Sequence, residues 1–281
     1  MDDLITVIVA TYNREDALGA VLRSMSRQSD RHFELIVADD GSRSATADMI
    51  ESWRPRLPVT LKHVWHEDRG FRLAEIRNRA IRAASGRYCV FLDGDCIARA
   101  DFVASHRRLA EAGCFVTGNR TLMSRELSER ILAGGLEPES WGLARHLACR
   151  WRRDFNRIAP LLRLPIGPLR KLSGRRWRGA RGSNMAFFRS DLERVDGFDA
   201  SYIGWGREDS DLFVRLIRSG LRRKDGRFAT GVLHLWHPES PRSELPENEA
   251  RLDLALQSDR WRALHGLSRL DEPLRQDAGT A

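Results

Sequence analysis

Short, continuously apolar runs alternate with segments of helical periodicity through residues 1–118. Leu4 to Ala10 is β-branched and apolar throughout, the pattern of a parallel strand covered on both faces. Arg14 to Arg27 then carries Ala17, Leu18, Val21, Leu22 and Met25 at i, i+3, i+4 spacing, which predicts a helix. The scheme repeats: strand Phe33 to Ala38, a helix from Ser44 or Thr46 to Trp53, strand Val59 to Trp65, helix Leu73 to Ala84, and strand Arg87 to Leu92. Asp101 to Ala112 adds a helix and Cys114 to Gly118 a strand. Strands and helices alternating at this spacing predict right-handed βαβ units, hence an α/β fold with a mostly parallel twisted sheet flanked by helices.

The pattern loosens over 119–181. Ile158 to Leu169 holds Pro160, Pro165 and Pro168, so it is expected as an apolar-faced loop or lid, packed on the domain rather than on lipid. Order returns with a strand at Gly182 to Phe188, a short helix at Ser190 to Val195, a helix from Glu208 to Ser219, and a strand at Gly231 to Leu235. Glu247 to His265 reads as one amphipathic helix, and the tail after Leu270 as disordered. One domain is expected, in blocks 1–118, 119–181 (a basic insertion), 182–240 and 241–281 (a C-terminal helix and tail).

No run of about 18 apolar residues occurs, so no membrane-spanning helix is expected. The acidic start, Met1-Asp2-Asp3, is unlike a signal peptide, and Cys89, Cys96, Cys114 and Cys149 lack metal-site spacing; both fit a cytoplasmic protein with reduced thiols. The net charge of +8 is concentrated: from Trp141 to Arg181 twelve basic residues face only Asp154. Such a block draws in polyanions or an anionic membrane surface, or folds over a phosphorylated ligand. Neither G-x-G-x-x-G nor a P-loop follows the first strand, against a dinucleotide oxidoreductase or P-loop ATPase.

Three predicted strands end in polar residues: Thr11-Tyr12-Asn13, Asp39-Asp40-Gly41-Ser42 and Asp93-Gly94-Asp95. In open α/β sheets such ends line one crevice. Asp93 and Asp95, flanking a glycine, read either as hard oxygen ligands for Mg²⁺ or Mn²⁺ or as a solvated turn. In Gly204-Trp205-Gly206-Arg207-Glu208-Asp209-Ser210-Asp211, the acids sit where a helix dipole favours carboxylates. There Trp205 offers a flat face to a sugar or base, and an aspartate can accept a hydroxyl proton. His234 reads as a core residue or a support behind a metal ligand, and His237 as freer to reach a metal. Arg72 and Arg77 meet phosphate or remain solvated, with Asn78 beside Arg77 favouring function for the latter.

Val-Ile-Val-Ala-Thr-Tyr-Asn, Ala-Asp-Asp-Gly-Ser, Phe-Arg-Leu-Ala-Glu-Ile-Arg-Asn, Phe-Leu-Asp-Gly-Asp-Cys, Gly-Ser-Asn-Met-Ala-Phe and Gly-Trp-Gly-Arg-Glu-Asp-Ser-Asp-Leu occur in that order. Over about residues 4 to 240 the chain thereby resembles a family 2 glycosyltransferase of the Rossmann-like GT-A fold, with a galactosyltransferase-type module like that of chondroitin polymerases. The resemblance implies an inverting enzyme that uses Mn²⁺ or Mg²⁺ to move a sugar from a nucleotide diphosphate, commonly UDP, to an acceptor hydroxyl. It assigns the nucleoside to Thr11, Tyr12 and Asp40 with Asp39 beside them, the nucleotide to Arg77, and the ribose or donor sugar to Asp93. Asn13, Gly94, Asn184 and Trp205 complete the expected nucleotide-sugar site. It makes Asp95 and His237 metal ligands, Asp209 the general base, and Glu208 a binder of acceptor or donor sugar. Ala10 replaces a usual Pro, and Arg207 stands where relatives often have Gly.

Two other classes compete. A sugar-phosphate nucleotidyltransferase would carry a glycine-rich basic loop after the first strand, and Thr11 to Glu15 has no glycine. A nucleic-acid-binding protein would explain the arginine block but none of the acidic strand ends, so no nucleic-acid partner is expected. The block is instead expected to face an anionic glycan or glycolipid acceptor, with peripheral contact at the inner face of the cytoplasmic membrane.

Overall fold

The computed structural model describes residues 3–239 and 241–272. In the first half, β1 (Ile5–Thr11), α1 (Glu15–Ser26), β2 (Phe33–Asp39), α2 (Ser44–Trp53), β3 (Leu61–Trp65), α3 (Leu73–Ala83), β4 (Tyr88–Asp93), β5 (Cys96–Ile97), α4 (Phe102–Leu109) and β6 (Cys114–Thr117) follow in order. The second half contributes β7 (Arg120–Leu122), α5 (Arg125–Leu132), α6 (Leu143–Trp151), β8 (Asn184–Phe188), α7 (Arg189–Arg194), α8 (Glu208–Arg218), β9 (Arg222–Asp225), β10 (Val232–His234) and α9 (Leu245–Gln257).

Seven strands form one sheet in the order β3-β2-β1-β4-β8-β6-β9, parallel except for β8, which runs antiparallel to β4 and β6. The apolar runs are continuous because both faces are covered. Val7, Val9, Val37, Val90 and Leu92 pack with Leu18, Val21 and Met25 of α1 and Phe102 of α4. Ile8, Ile36 and Phe91 point the other way, into Ile76 and Ala80 of α3 and Phe213 and Leu216 of α8. Each fully buried large side chain of this kind contributes about 1.5–3 kcal/mol.

A second sheet, in the order β5-β10-β7, is what positions the site. It joins the chain just after Asp95 to the strand ending at His234, and Leu235 N–H donates to the Asp95 carbonyl at 2.9 Å. Residues 119–181 are more ordered than their pattern predicts. Besides β7 they hold α5 and α6, which close an apolar cluster of Leu127, Ile131, Trp141, Phe155 and Leu161. The proline-rich stretch forms no α-helix, only 3₁₀ turns at Ala159–Leu161 and Gly167–Lys171.

The helix predicted to reach His265 stops at Gln257, where Ser258 turns extended. Tertiary bonds outcompete helical ones beyond it. The Asp199 carboxylate accepts from Arg260 Nη1 at 2.6 Å and from the Leu264 N–H at 2.9 Å, and Ala263 N–H donates to the Val195 carbonyl. Of the predicted tail, residues 273–281 lie outside the described residues.

Candidate active site

β1, β2 and β4 end side by side, so Thr11, Asp39 and Asp93 come together at the carboxyl edge of the sheet. The turn after β4 is tight: Gly94 N–H donates to the Ala10 carbonyl at 2.7 Å, and a Cβ on Gly94 would lie 2.6 Å from that oxygen. Glycine is required there by contact with β1. The turn aims Asp95 at two histidines, with Oδ2 3.1 Å from His237 Nε2 and Oδ1 3.5 Å from His234 Nε2. Burial acts to raise the Asp95 pKa but is outweighed by the hydrogen bond from His237 and the histidine charges, leaving it at about 2. The bond to Asp95 raises the His237 pKa, while burial lowers His234 to about 4. His234, expected behind the site, thus stands beside His237, their ring centroids 5.2 Å apart.

Asp93 is joined to the first turn of α8 through Arg77. Arg77 is only 2% exposed; it donates to Asp93 Oδ1 at 3.1 Å, to Glu208 Oε1 at 3.2 Å and to the Gly182 carbonyl at 3.4 Å, and stacks on Phe198. It was expected to meet the nucleotide. Its Nη groups are instead engaged inside the protein, as a bridge between two acids, while its buried Nε has no hydrogen-bond partner among the described residues, and Asn78 clamps the backbone of Phe198 through both amide atoms. Burial raises the Asp93 pKa, and Asp95 and Asp209 add to the rise against Arg77 and Arg120. Glu208 is pushed up to about 7, by burial first and then by Asp209. Asp209 is oriented by backbone: its Oδ2 accepts from Gly182 N–H at 2.7 Å and its Oδ1 from Ser210 N–H at 2.6 Å.

The β2 acids are turned inward. Asp39 accepts from Ser42 N–H at 2.8 Å and pairs with His63 Nε2 at 2.9 Å. Asp40 pairs with His66 Nε2 at 2.7 Å and accepts from Arg72 N–H at 2.9 Å. Asn13 takes a left-handed φ of 46° and ties the first two strand ends together, accepting from Arg43 N–H while its own N–H donates to Ser42 Oγ. Tyr12 stands 48% exposed at the rim. Asn184 departs from its expected place at the donor: it is fully buried, paired with His106 Nε2 at 3.1 Å and donating to the Thr230 carbonyl at 2.5 Å.

Trp205 is 40% exposed, with Arg242 over its ring. Gly204, at φ +74°, has no room for a side chain beside Glu244, and Asn248 of α9 pins the neighbouring Ile203 carbonyl. Sequence reading missed His66, which sits just past the end of β3 and follows the same polar strand-end rule. It also missed Gly182 as a donor and Arg120 as a cation beside Asp93, and neither carries a sequence signal.

A doubly wound sheet with an acidic β4 terminus and an antiparallel β8 beside it is the GT-A fold. Residues 6–165 match the Glycosyl transferase family 2 profile and residues 173–237 the N-terminal domain of galactosyltransferase. The chain belongs to glycosyl transferase family 2. It is 31% identical over 239 residues to validoxylamine A glucosyltransferase of Streptomyces hygroscopicus subsp. limoneus, covering 82% of this chain and 51% of that protein. It is 28% identical over 261 residues to chondroitin synthase of Escherichia coli, covering 86% and 36%. The chain thus spans about half or less of the length of these relatives. Among solved structures, S. aureus TarS 1-349 in complex with UDP aligns with a TM-score of 0.60 at 15% identity, covering 95% of this chain and 68% of that one. The Pyrobaculum calidifontis mannosyltransferase PcManGT, in complex with GDP-Man and Mn²⁺, aligns at 0.53 and 21%, covering 91% and 72%. These likenesses share the fold.

Proposed function

We propose that this chain is a metal-dependent, inverting glycosyltransferase that moves a sugar from a nucleotide diphosphate donor, a UDP-sugar, to a hydroxyl of an anionic glycan or glycolipid. The observation that carries the reading is the link between the two acidic turns: Asp93 N–H donates to the Ser183 carbonyl at 3.4 Å, Arg77 bonds both Asp93 and the Gly182 carbonyl, and Gly182 N–H donates to Asp209. An ion-binding acid and a proton-accepting acid thereby flank one crevice. The UDP, UDP-GlcNAc and GDP-Man named in the structural relatives support a nucleotide-sugar donor.

The donor set fits a divalent cation. Ligand atoms of Asp95, His234 and His237 lie within 4.8 Å of one another, and carboxylate plus imidazole suits Mn²⁺, with Mg²⁺ as the harder alternative. A cation held there supplies Lewis-acid neutralisation of the charge that builds on the departing diphosphate. Thr11 Oγ1 is buried at the end of β1 and lacks a hydrogen-bond partner among the described residues, which leaves it available to the nucleoside. Asp93 faces the donor, held there by Arg77. Asp209 takes the acceptor proton; its backbone bonds fix its direction, Oδ1 accepts from both the N–H and the hydroxyl of Ser210, and Oδ2, accepting from Gly182 N–H, keeps a lone pair for the proton. Glu208, at about 7, is the second reading for the base, favoured by a pKa near neutral but opposed by its bond to Arg77. The four cysteines, all free and buried, support a cytoplasmic location.

The test is thermal unfolding of wild type and Asp95→Asn with UDP and UDP-sugars, with and without Mn²⁺. Binding to the folded state raises Tm by mass action. A UDP-dependent rise enlarged by Mn²⁺, with the Mn²⁺ part absent from Asp95→Asn, is expected. No shift of wild type with any nucleotide diphosphate sinks the reading.

A further inference from the structure

The outer face of α6 is apolar where a surface helix should be polar. Leu143, Leu147 and Trp151 succeed one another at i, i+4, i+8 and are 53%, 50% and 90% exposed. Ala144 and Ala148 are exposed between them, while His146 and Cys149 form the buried edge. At 3.6 residues per turn these five apolar residues cover a continuous arc of roughly 140°. Arg150 borders the arc on one side and Arg145 on the other, and Arg152 and Arg153 follow at the helix end, all exposed. A helix that packs by its apolar face shows the reverse arrangement.

Beside this helix lies a cavity of about 290 Å³, whose lining includes Leu127, Trp141, Arg130, Arg145 and Arg152, with Asp154 as its acid. Arg145 stacks over Trp141 at 4.2 Å. An apolar ridge flanked by guanidinium groups, next to a basic slot, is the arrangement of a helix that lies in the plane of a lipid interface. There the leucines and tryptophan enter the acyl boundary and the arginines meet headgroup phosphates.

We propose that α6 docks this chain onto an anionic lipid bilayer, with the cavity between α5 and α6 receiving a headgroup. A second copy of the chain is the poorer occupant, because pairing this face with itself would set Arg145 and Arg150 against their own kind, with one acid, Asp154, between residues 141 and 181 to relieve them. The docking is independent of the transfer chemistry.

The experiment is co-sedimentation of the full chain with phosphatidylcholine vesicles, with and without phosphatidylglycerol, at low and high salt. Two variants are compared with wild type, Leu147→Gln plus Trp151→Gln and Arg150→Gln plus Arg152→Gln, each checked for unchanged Tm. Their nucleotide-dependent thermal shifts report the donor site separately. Wild type is expected to bind phosphatidylglycerol vesicles and to be released by salt. The apolar double variant should lose about tenfold or more in partitioning, since each large side chain leaves its buried state. The arginine double variant should lose roughly fivefold per charge on the anionic vesicles only. Failure of wild type to bind anionic vesicles at low salt, or equal binding by the apolar variant, overturns the proposal. So does a wild-type dimer that the apolar variant dissolves while vesicles are ignored.

Discussion

Glu208 and Asp209 are neighbours in sequence but not in surroundings. Glu208 points inward, is bonded to Arg77, and holds its proton up to about 7 against an ordinary value of 4.5. Asp209 faces Gly182 and is held by two backbone N–H groups. If Asp209 is the base, Asp209→Asn should lower turnover by about 10²–10⁴ and leave the UDP- and Mn²⁺-dependent thermal shift intact. Near-normal turnover would transfer the role to Glu208. Glu208 also makes a prediction of its own. A carboxyl whose folded pKa lies above its unfolded one binds its proton more tightly when folded, so stability falls as pH rises from about 4.5 to about 7, by roughly 3 kcal/mol in the limit. Urea midpoints measured across that window should decline in wild type and decline less in Glu208→Gln.

At the scale of elements, the start of α8 depends on a buried ionic network. Arg215 Nε donates to Asp211 Oδ2 at 2.7 Å and its Nη1 to the carbonyls of Val195 and Gly197, while Arg260 reaches both Asp199 and Asp211. Asp211, outwardly one more acid of the helix start, is therefore structural. Asp199 is held at about 2; burial opposes this, but the N–H of Leu264, the Ser201 hydroxyl and Arg260 outweigh it. Asp199→Ala leaves Arg260 and the Leu264 N–H short of a partner and should cost about 3–5 kcal/mol in denaturant unfolding. The depressed pKa adds stability that is present above the ordinary carboxylate range and is lost as pH falls toward 2, so the variant should flatten that acid limb. Arg207, immediately before α8, sits at φ +76° with no side-chain cap, a conformation costing a residue with a Cβ about 1–2 kcal/mol. The ion pair with Glu249 offsets part of that cost.

At the scale of the molecule, the arginine block is divided among three uses. Arg170 is buried on the carbonyls of Asp225, Arg227 and Leu164, and Arg163 pairs with Asp101, so both are structural. Those around α6 border its apolar face. Arg175, Arg176, Arg178 and Arg181 are exposed on a loop that Arg223 pins through the Arg176 and Arg178 carbonyls, and the loop runs directly into Gly182 and so into Asp209. An anionic acceptor meeting this loop should show a Michaelis constant that rises with salt, because exposed charges are screened within about 8 Å at physiological ionic strength. Arg175→Ala plus Arg176→Ala should raise it at low salt and remove most of the salt effect. A constant indifferent to both would exclude the loop from acceptor binding.

The apolar runs by themselves determined β1 to β4 and β6, the parallel pairing of β1 to β4, and the edge where Thr11, Asp39, Asp93 and Asp95 gather, because a strand buried on both faces reads as a continuous apolar run and releases its polar residues at its end; the antiparallel course of β8 and the all-polar β9 were decided by the tertiary structure. What each polar residue does there was decided only by the tertiary structure. Arg77, Asn78 and Asn184 have the composition of ligand-binding residues, yet they are spent on internal partners that lie far off in sequence: Glu208 of α8 for Arg77, Phe198 for Asn78, and His106 and Thr230 for Asn184. His234 joins Asp95 because a three-stranded sheet pairs the two regions, and of its strands β10 alone registers in the sequence while β5 and β7 are too short to do so. The early end of α9 and the outward apolar face of α6 have the same origin. Periodicity reports that a segment has one apolar side, and only the packing of the whole chain fixes which side is covered.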